Sequence, residues 1–132
     1  MQDFKIDALV NACTQFEQGI EISMQNPENA LMRDGVIQRF EYTMALSWKL
    51  IERYLKVVVA IDTHTIHSRK DLFREVAKWH LIDNAESWFK YYKAGNETSH
   101  DYHLDKANEV YEQAKLFLHD VKKLIKKFQE LM

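Results

Sequence analysis

The chain has 132 residues, 46% of them apolar and 29% charged, with a formal net charge of -2. That fits one domain over residues 1–132 and allows roughly 68% of the unfolded chain's surface to be buried. The charge balance excludes a protein working by broad attraction to nucleic acid, which would show a basic surface. It leaves a small local RNA site open.

The only cysteine, Cys13, cannot form an internal disulfide and points to a reducing, cytoplasmic setting. Asp3, Lys5 and Asp7 interrupt any early apolar run, so no secretory signal is expected. No stretch approaches the ~18 consecutive apolar residues of a membrane span, and no membrane partner is expected. Three glycines and one proline leave little material for tight turns, which favours a mostly helical protein.

Ile6, Leu9, Cys13, Phe16, Ile20 and Met24 recur every three or four positions, with polar residues between them. This predicts a first helix with one apolar stripe. "NPEN" at 26–29 ends it, because proline lacks an amide hydrogen and restricts the residue before it. A second, longer helix is predicted from Ala30 to Val59. Its main stripe is Ile37, Phe40, Met44, Trp48, Ile51, Leu55 and Val58. Val36, Leu46, Leu50, Tyr54 and Val57 widen that stripe to a second face. A face wider than one core needs predicts a further partner, most simply a second copy of the chain. Gly35 marks a kink or a late start.

"DTHTIHS" at 62–68 is a polar connector, and Ser68 with Asp71 forms a capping pattern for a short helix carrying Leu72, Val76 and Trp79. Asp83 is the expected cap of the next helix, with Ala85, Trp88, Phe89 and Tyr92 inward and Gly95 as its stop. The last helix spans about 104–131, with Ala107, Val110, Tyr111, Ala114, Leu118, Val121, Ile125 and Phe128 on its inner face. Lys122, Lys123, Lys126 and Lys127 read as a solvated face near a helix end that favours cations. The expected fold is all-α: an antiparallel up-and-down helical bundle of four main helices plus a short extra one.

The stretch "YYKAGNETSHDYH" at 91–103 has two readings. Structurally, Gly95 ends one helix, and Thr98, Ser99 or Asp101 caps the next. Chemically, His100 exchanges protons near neutral pH, while Asn96, Thr98 and Ser99 offer hydrogen bonds. Tyr102 offers a modifiable hydroxyl, and amides at a helix start favour an anion. Cleavage of RNA by such a site would also need a cation for the charge on phosphorus. No cation lies between Gly95 and His103, and Lys93 is two residues too early to share their helix face.

His64 and His67 are three apart, as are His100 and His103, a spacing that can hold Zn²⁺. The first pair falls in a probable loop, and no cysteine or Glu-x-x-His pattern accompanies either. They read as solvated histidines, and neither metal nor cofactor is expected. Aromatic residues at helical spacing read as core or subunit contacts, because no basic residues interleave with them.

Three stretches carry a family resemblance: "RDGVIQRFEYTMALSWKL" at 33–50, "REVAKWHLID" at 74–83 and "GNETSHDY" at 95–102. The chain resembles the nucleotidyltransferase substrate-binding proteins, a branch of the HEPN superfamily, over nearly its whole length. Arg39, Glu41, Trp48 and Lys49 match the family's long-helix motif. Asn96, Ser99, His100 and Tyr102 match its second motif. The resemblance implies a homodimeric bundle that accompanies a separate minimal nucleotidyltransferase and binds its nucleotide or other substrate.

Some HEPN relatives are metal-independent ribonucleases with Arg, four residues, His, one residue, Tyr. In these the nucleotidyltransferase can act as antitoxin by placing AMP on the tyrosine. Here His100 and Tyr102 match, but the arginine position is Gly95, which has neither charge nor the planar fork that grips phosphate. A second departure is Ala45, where the family usually carries Glu. The expectation is therefore a non-catalytic nucleotide- or substrate-binding subunit. The alternative is an endoribonuclease toxin with His100 as general acid/base, RNA as substrate and a cation supplied by Lys93 or a second copy. A third reading joins these two, with Tyr102 as the acceptor of AMP.

Overall fold

The computed structural model describes residues 4–97 and 104–132, except the side chains of residues 97 and 104. Among them are five α-helices: α1 (Asp7–Met24), α2 (Ala30–Arg53), α3 (Arg69–Lys78), α4 (Ala85–Glu97) and α5 (Leu104–Leu131). No strand occurs among the described residues. The result is the expected all-α bundle. α1 packs chiefly on α2, α3 packs on α4, and α5 runs against α1, α2 and α4.

Directions follow from contacts at the two ends. Phe4, just before α1, meets Phe128 near the end of α5 with ring centroids 5.1 Å apart, and meets Tyr54 beyond α2 at 6.0 Å. At the other end the Ser23 and Tyr111 hydroxyls lie 2.7 Å apart, joining the end of α1 to the first turns of α5. α1 therefore runs opposite to α2 and α5. Between the ends, Phe117 packs against Phe16, Phe40, Trp88 and Tyr91 at 5.3–6.0 Å, so one ring from α5 touches α1, α2 and α4. Aromatic pairs at these spacings favour edge-to-face contact in addition to their burial.

Several expectations change in detail. α1 buries Ser23 rather than Met24, which is 60% exposed. The Ser23 hydroxyl is satisfied there by the Ile20 carbonyl at 2.8 Å and by Tyr111. α2 starts at Ala30, five residues before Gly35, because the Asn29 side chain accepts the Met32 amide at 3.0 Å. Its continuation over Tyr54–Val59 is a π-helical turn that stops where Ala60 takes the left-handed region, φ 59°. The wide second face of α2 is largely used within the chain: Val36 and Tyr54 are buried, and Leu46 and Leu50 pack partly against the core.

The Ser68 hydroxyl accepts the Asp71 amide at 3.1 Å, so this cap forms as expected. Trp79 lies just past the end of α3 and is 48% exposed, while Phe73 fills the inner position instead. Asp83 does not cap α4. Asn84 does, its side chain accepting the Ser87 amide at 3.1 Å, and Asp83 instead pairs with Lys123 at 3.5 Å. Gly95 does not stop α4, which continues to Glu97.

Candidate functional site

The residues matched to the long-helix motif lie on α2 but diverge, because successive helical positions face different neighbours. Arg39 turns to α1, donating from Nη1 to the Gln15 carbonyl at 2.6 Å. A Cβ at Gly19 would lie 3.2 Å from that nitrogen, so the glycine gives the guanidinium room on α1. Glu41 turns to α4: its Cγ would be 3.9 Å from a Cβ placed at Gly95, and Phe40 Cε2 3.8 Å away. Trp48 receives the Arg69 guanidinium over its ring, 3.4 Å from the centroid. That arginine also pairs with Glu52 at 3.7 Å, tying the start of α3 to α2. Lys49 is exposed, its Nζ 5.7 Å from the same indole ring. Ala45 is partly exposed.

In the second motif, Asn96 sits exposed in the last turn of α4. Ser99, His100 and Tyr102 lie outside the described residues, as do Thr98, Asp101 and His103. Gly95 has ordinary helical geometry, and its α-carbon faces α2. Lys93 points elsewhere: with Lys90 it lines a groove of about 440 Å³ against Val110, Glu112 and Gln113 of α5. Two residues along a helix turn a side chain by roughly 200°, so Lys93 does not reach the face where an arginine at 95 would stand.

A polar pocket that no spacing rule pointed to lies at the same end of the bundle, beside the start of α5. It measures about 390 Å³ and is lined by Asn26, Asn29, Arg33, Asn108, Tyr111 and Lys115, among others. Arg33 reaches Asn108 Oδ1 at 3.3 Å and Asp34 at 3.0 Å. Lys115 pairs with Glu112 at 3.0 Å and lies 5.0 Å from the Tyr111 ring centroid. The Tyr111 hydroxyl meets Ser23. Cations and amide and hydroxyl donors suit an anionic or polar ligand.

Tyr91 and Cys13, away from these pockets, hold their protons more tightly than usual. Burial, then a hydrogen bond to Asp120 at 2.5 Å, pushes the Tyr91 phenol well above its usual range. Burial, then the nearby Glu17 carboxylate, raises the Cys13 thiol. Among the described residues no group of three or more His, Cys, Asp or Glu side chains gathers as a metal-ligand set. His64 Nδ1 lies 3.2 Å from Asp62, with both side chains exposed, while the backbone amide of His67 donates to Asp71. No helix among them is long and apolar enough to cross a membrane.

The helical bundle itself places the chain in a recognisable fold class. A solved Haemophilus influenzae structure, described as revealing the fold of a substrate binding domain of a nucleotidyltransferase, superposes with a TM-score of 0.83. It is 29% identical, and the match covers 95% of this chain and 99% of that one. The family described as nucleotidyltransferase substrate binding protein like matches residues 4–130, and this chain belongs to it. A curated relative, the probable ribonuclease HepT of Haemophilus influenzae, is 40% identical over 86 residues. That match takes in 64% of this chain and spans 58% of the relative's length.

Proposed function

We propose that this chain is the non-catalytic, substrate-binding subunit of a two-component nucleotidyltransferase. It pairs with a separate minimal nucleotidyltransferase and with a second copy of itself. It holds a nucleotide or other substrate at the bundle end where Asn96 leads into Ser99, His100 and Tyr102, with Tyr102 as the acceptor of AMP. The observation that carries this reading is the family match over residues 4–130. The glycine at position 95 agrees with it, since the resemblance assigns a phosphate-gripping arginine there. Titration of the purified chain with its cognate nucleotidyltransferase should show a complex. A chain with no measurable affinity contradicts the proposal. AMP uptake by a Tyr102→Phe protein in the presence of the partner removes Tyr102 as acceptor.

The second reading is a metal-independent ribonuclease, favoured by the likeness to the probable ribonuclease HepT. It requires RNA cleavage in the presence of chelator that His100→Ala abolishes. Gly95→Arg sharpens the choice. A Cβ at position 95 makes only ordinary contacts, and Glu41 stands next to it to orient a guanidinium. The substitution should be tolerated. A gain of RNA cleavage by that variant means that only the arginine separates this chain from an active nuclease. Unchanged inactivity means that the rest of the site has diverged as well.

A further inference from the structure

We propose that the groove between the start of α1 and the second half of α2 is the docking face for an acidic amphipathic helix of a partner protein. This rests on the partner reading above and names the surface that the partner would use. The groove measures about 390 Å³, and its floor includes Leu46, Leu50 and Val57. These recur on one side of α2 and its π-helical continuation, and Val57 is 50% exposed. From Leu46 to Val57 is about 16 Å at the helical rise, the length of three turns of a partner helix. Tyr42, 61% exposed, extends the same stripe one turn further.

Charge selects the occupant. Lys5, Lys49, Arg53 and Lys56 rim the groove, and among its described lining residues Glu52 is the acidic one. That face is net +3 on a chain of formal net charge -2, so the remainder carries -5. Glu52 is already held by Lys56 and Arg69, each at 3.7 Å. Cations around an apolar floor complement a helix with a central apolar stripe and carboxylates on its flanks. A two-fold contact centred on this groove would set its cations against the same cations of a second copy. Single-stranded RNA fits less well, because Tyr42 at one end is the sole aromatic ring on this stripe among the described residues, where a run of bases needs several to stack on.

The groove begins at Leu46, five residues or about 8 Å along α2 from Glu41, which neighbours Gly95.

The test is affinity of the full chain for the minimal nucleotidyltransferase of the same organism. It compares the wild type, the double variant Lys49→Glu/Lys56→Glu on α2 and its π-helical continuation, and Lys5→Glu just before α1. The double variant should lose at least ~10-fold in affinity and Lys5→Glu less. Wild-type affinity should fall as salt rises. These side chains are exposed and the Lys56–Glu52 pair that is lost is a weak surface contact, so thermal unfolding should shift little and serves as the check of folding. A complex that the double variant forms as tightly as the wild type overturns this inference alone. No complex with the wild type overturns the partner reading and the inference with it. The proposal is likewise overturned if the double variant keeps the partner but loses phosphatidylserine vesicles or an RNA oligonucleotide bound by the wild type. It is also overturned if the variant is monomeric where the wild type pairs, since the face then belongs to a second copy.

Discussion

At the end where α1 begins and α5 finishes, Phe4, Tyr54 and Phe128 close the bundle with ring centroids 5.1–6.0 Å apart. At the opposite end hydroxyls, amides and a guanidinium do the same work, through Ser23–Tyr111 at 2.7 Å and Arg33–Asn108 at 3.3 Å. Burial of aromatic surface is strong and insensitive to direction. Hydrogen bonds add a modest net stability and depend on geometry. The aromatic end therefore holds the fold, and the polar end has donors and cations to offer a ligand.

The largest effect should come from breaking the aromatic end. Phe128→Ala removes a fully buried ring that touches Phe4 and Tyr54 and should cost about 3–5 kcal/mol, read in denaturant unfolding. A change under about 1 kcal/mol would mean that this end is not where stability resides. Tyr111→Phe at the polar end should cost only about 1 kcal/mol, because Ser23 keeps its bond to the Ile20 carbonyl. Gly95→Ala should stabilise by about 0.5–1 kcal/mol, since the residue is helical and the added Cβ meets only ordinary contacts. Destabilisation there would restore the view of Gly95 as a left-handed helix stop.

Alkaline pH probes the middle of the bundle. The folded-state pKa values of Tyr91 and Cys13 are raised, so the stability linked to them is complete below the unfolded-state values. It falls once pH passes those values, ~8.5 for Cys and ~10 for Tyr, because the unfolded chain then releases protons that the folded chain retains. Thermal midpoints should therefore decline above that range, and Tyr91→Phe should flatten the upper part of the decline. The smallest effect should be Lys122→Ala. It removes the 2.7 Å pair with Glu17 between α5 and α1, an exposed contact worth ~0.2–1 kcal/mol and weakened by salt.

Helix order and most inward positions were legible because a 3.6-residue period survives in the sequence wherever one face is buried. Boundaries were less so. Asp83 and Asn84 are both good caps, and only the path of the chain selects Asn84. Gly95 reads as a stop by propensity, yet packing against Phe40 and Glu41 keeps that turn helical. Ser23 is buried in place of Met24 because Tyr111 supplies a hydroxyl partner from a helix 88 positions away. The same distance in sequence hid the pocket between Arg33 and Asn108, 75 positions apart. Of the second motif Asn96 is placed, whereas Ser99, His100 and Tyr102 lie outside the described residues. The long-helix motif was legible as a pattern and not as a site, since Arg39, Glu41, Trp48 and Lys49 face different neighbours.

The most direct test of the central claim is native mass spectrometry of the tagged protein isolated from its own host. A binding subunit should appear as two copies of this chain with a small nucleotidyltransferase, and an AMP-sized adduct should map to Tyr102. A bare chain or bare dimer, with neither partner nor adduct, contradicts the account.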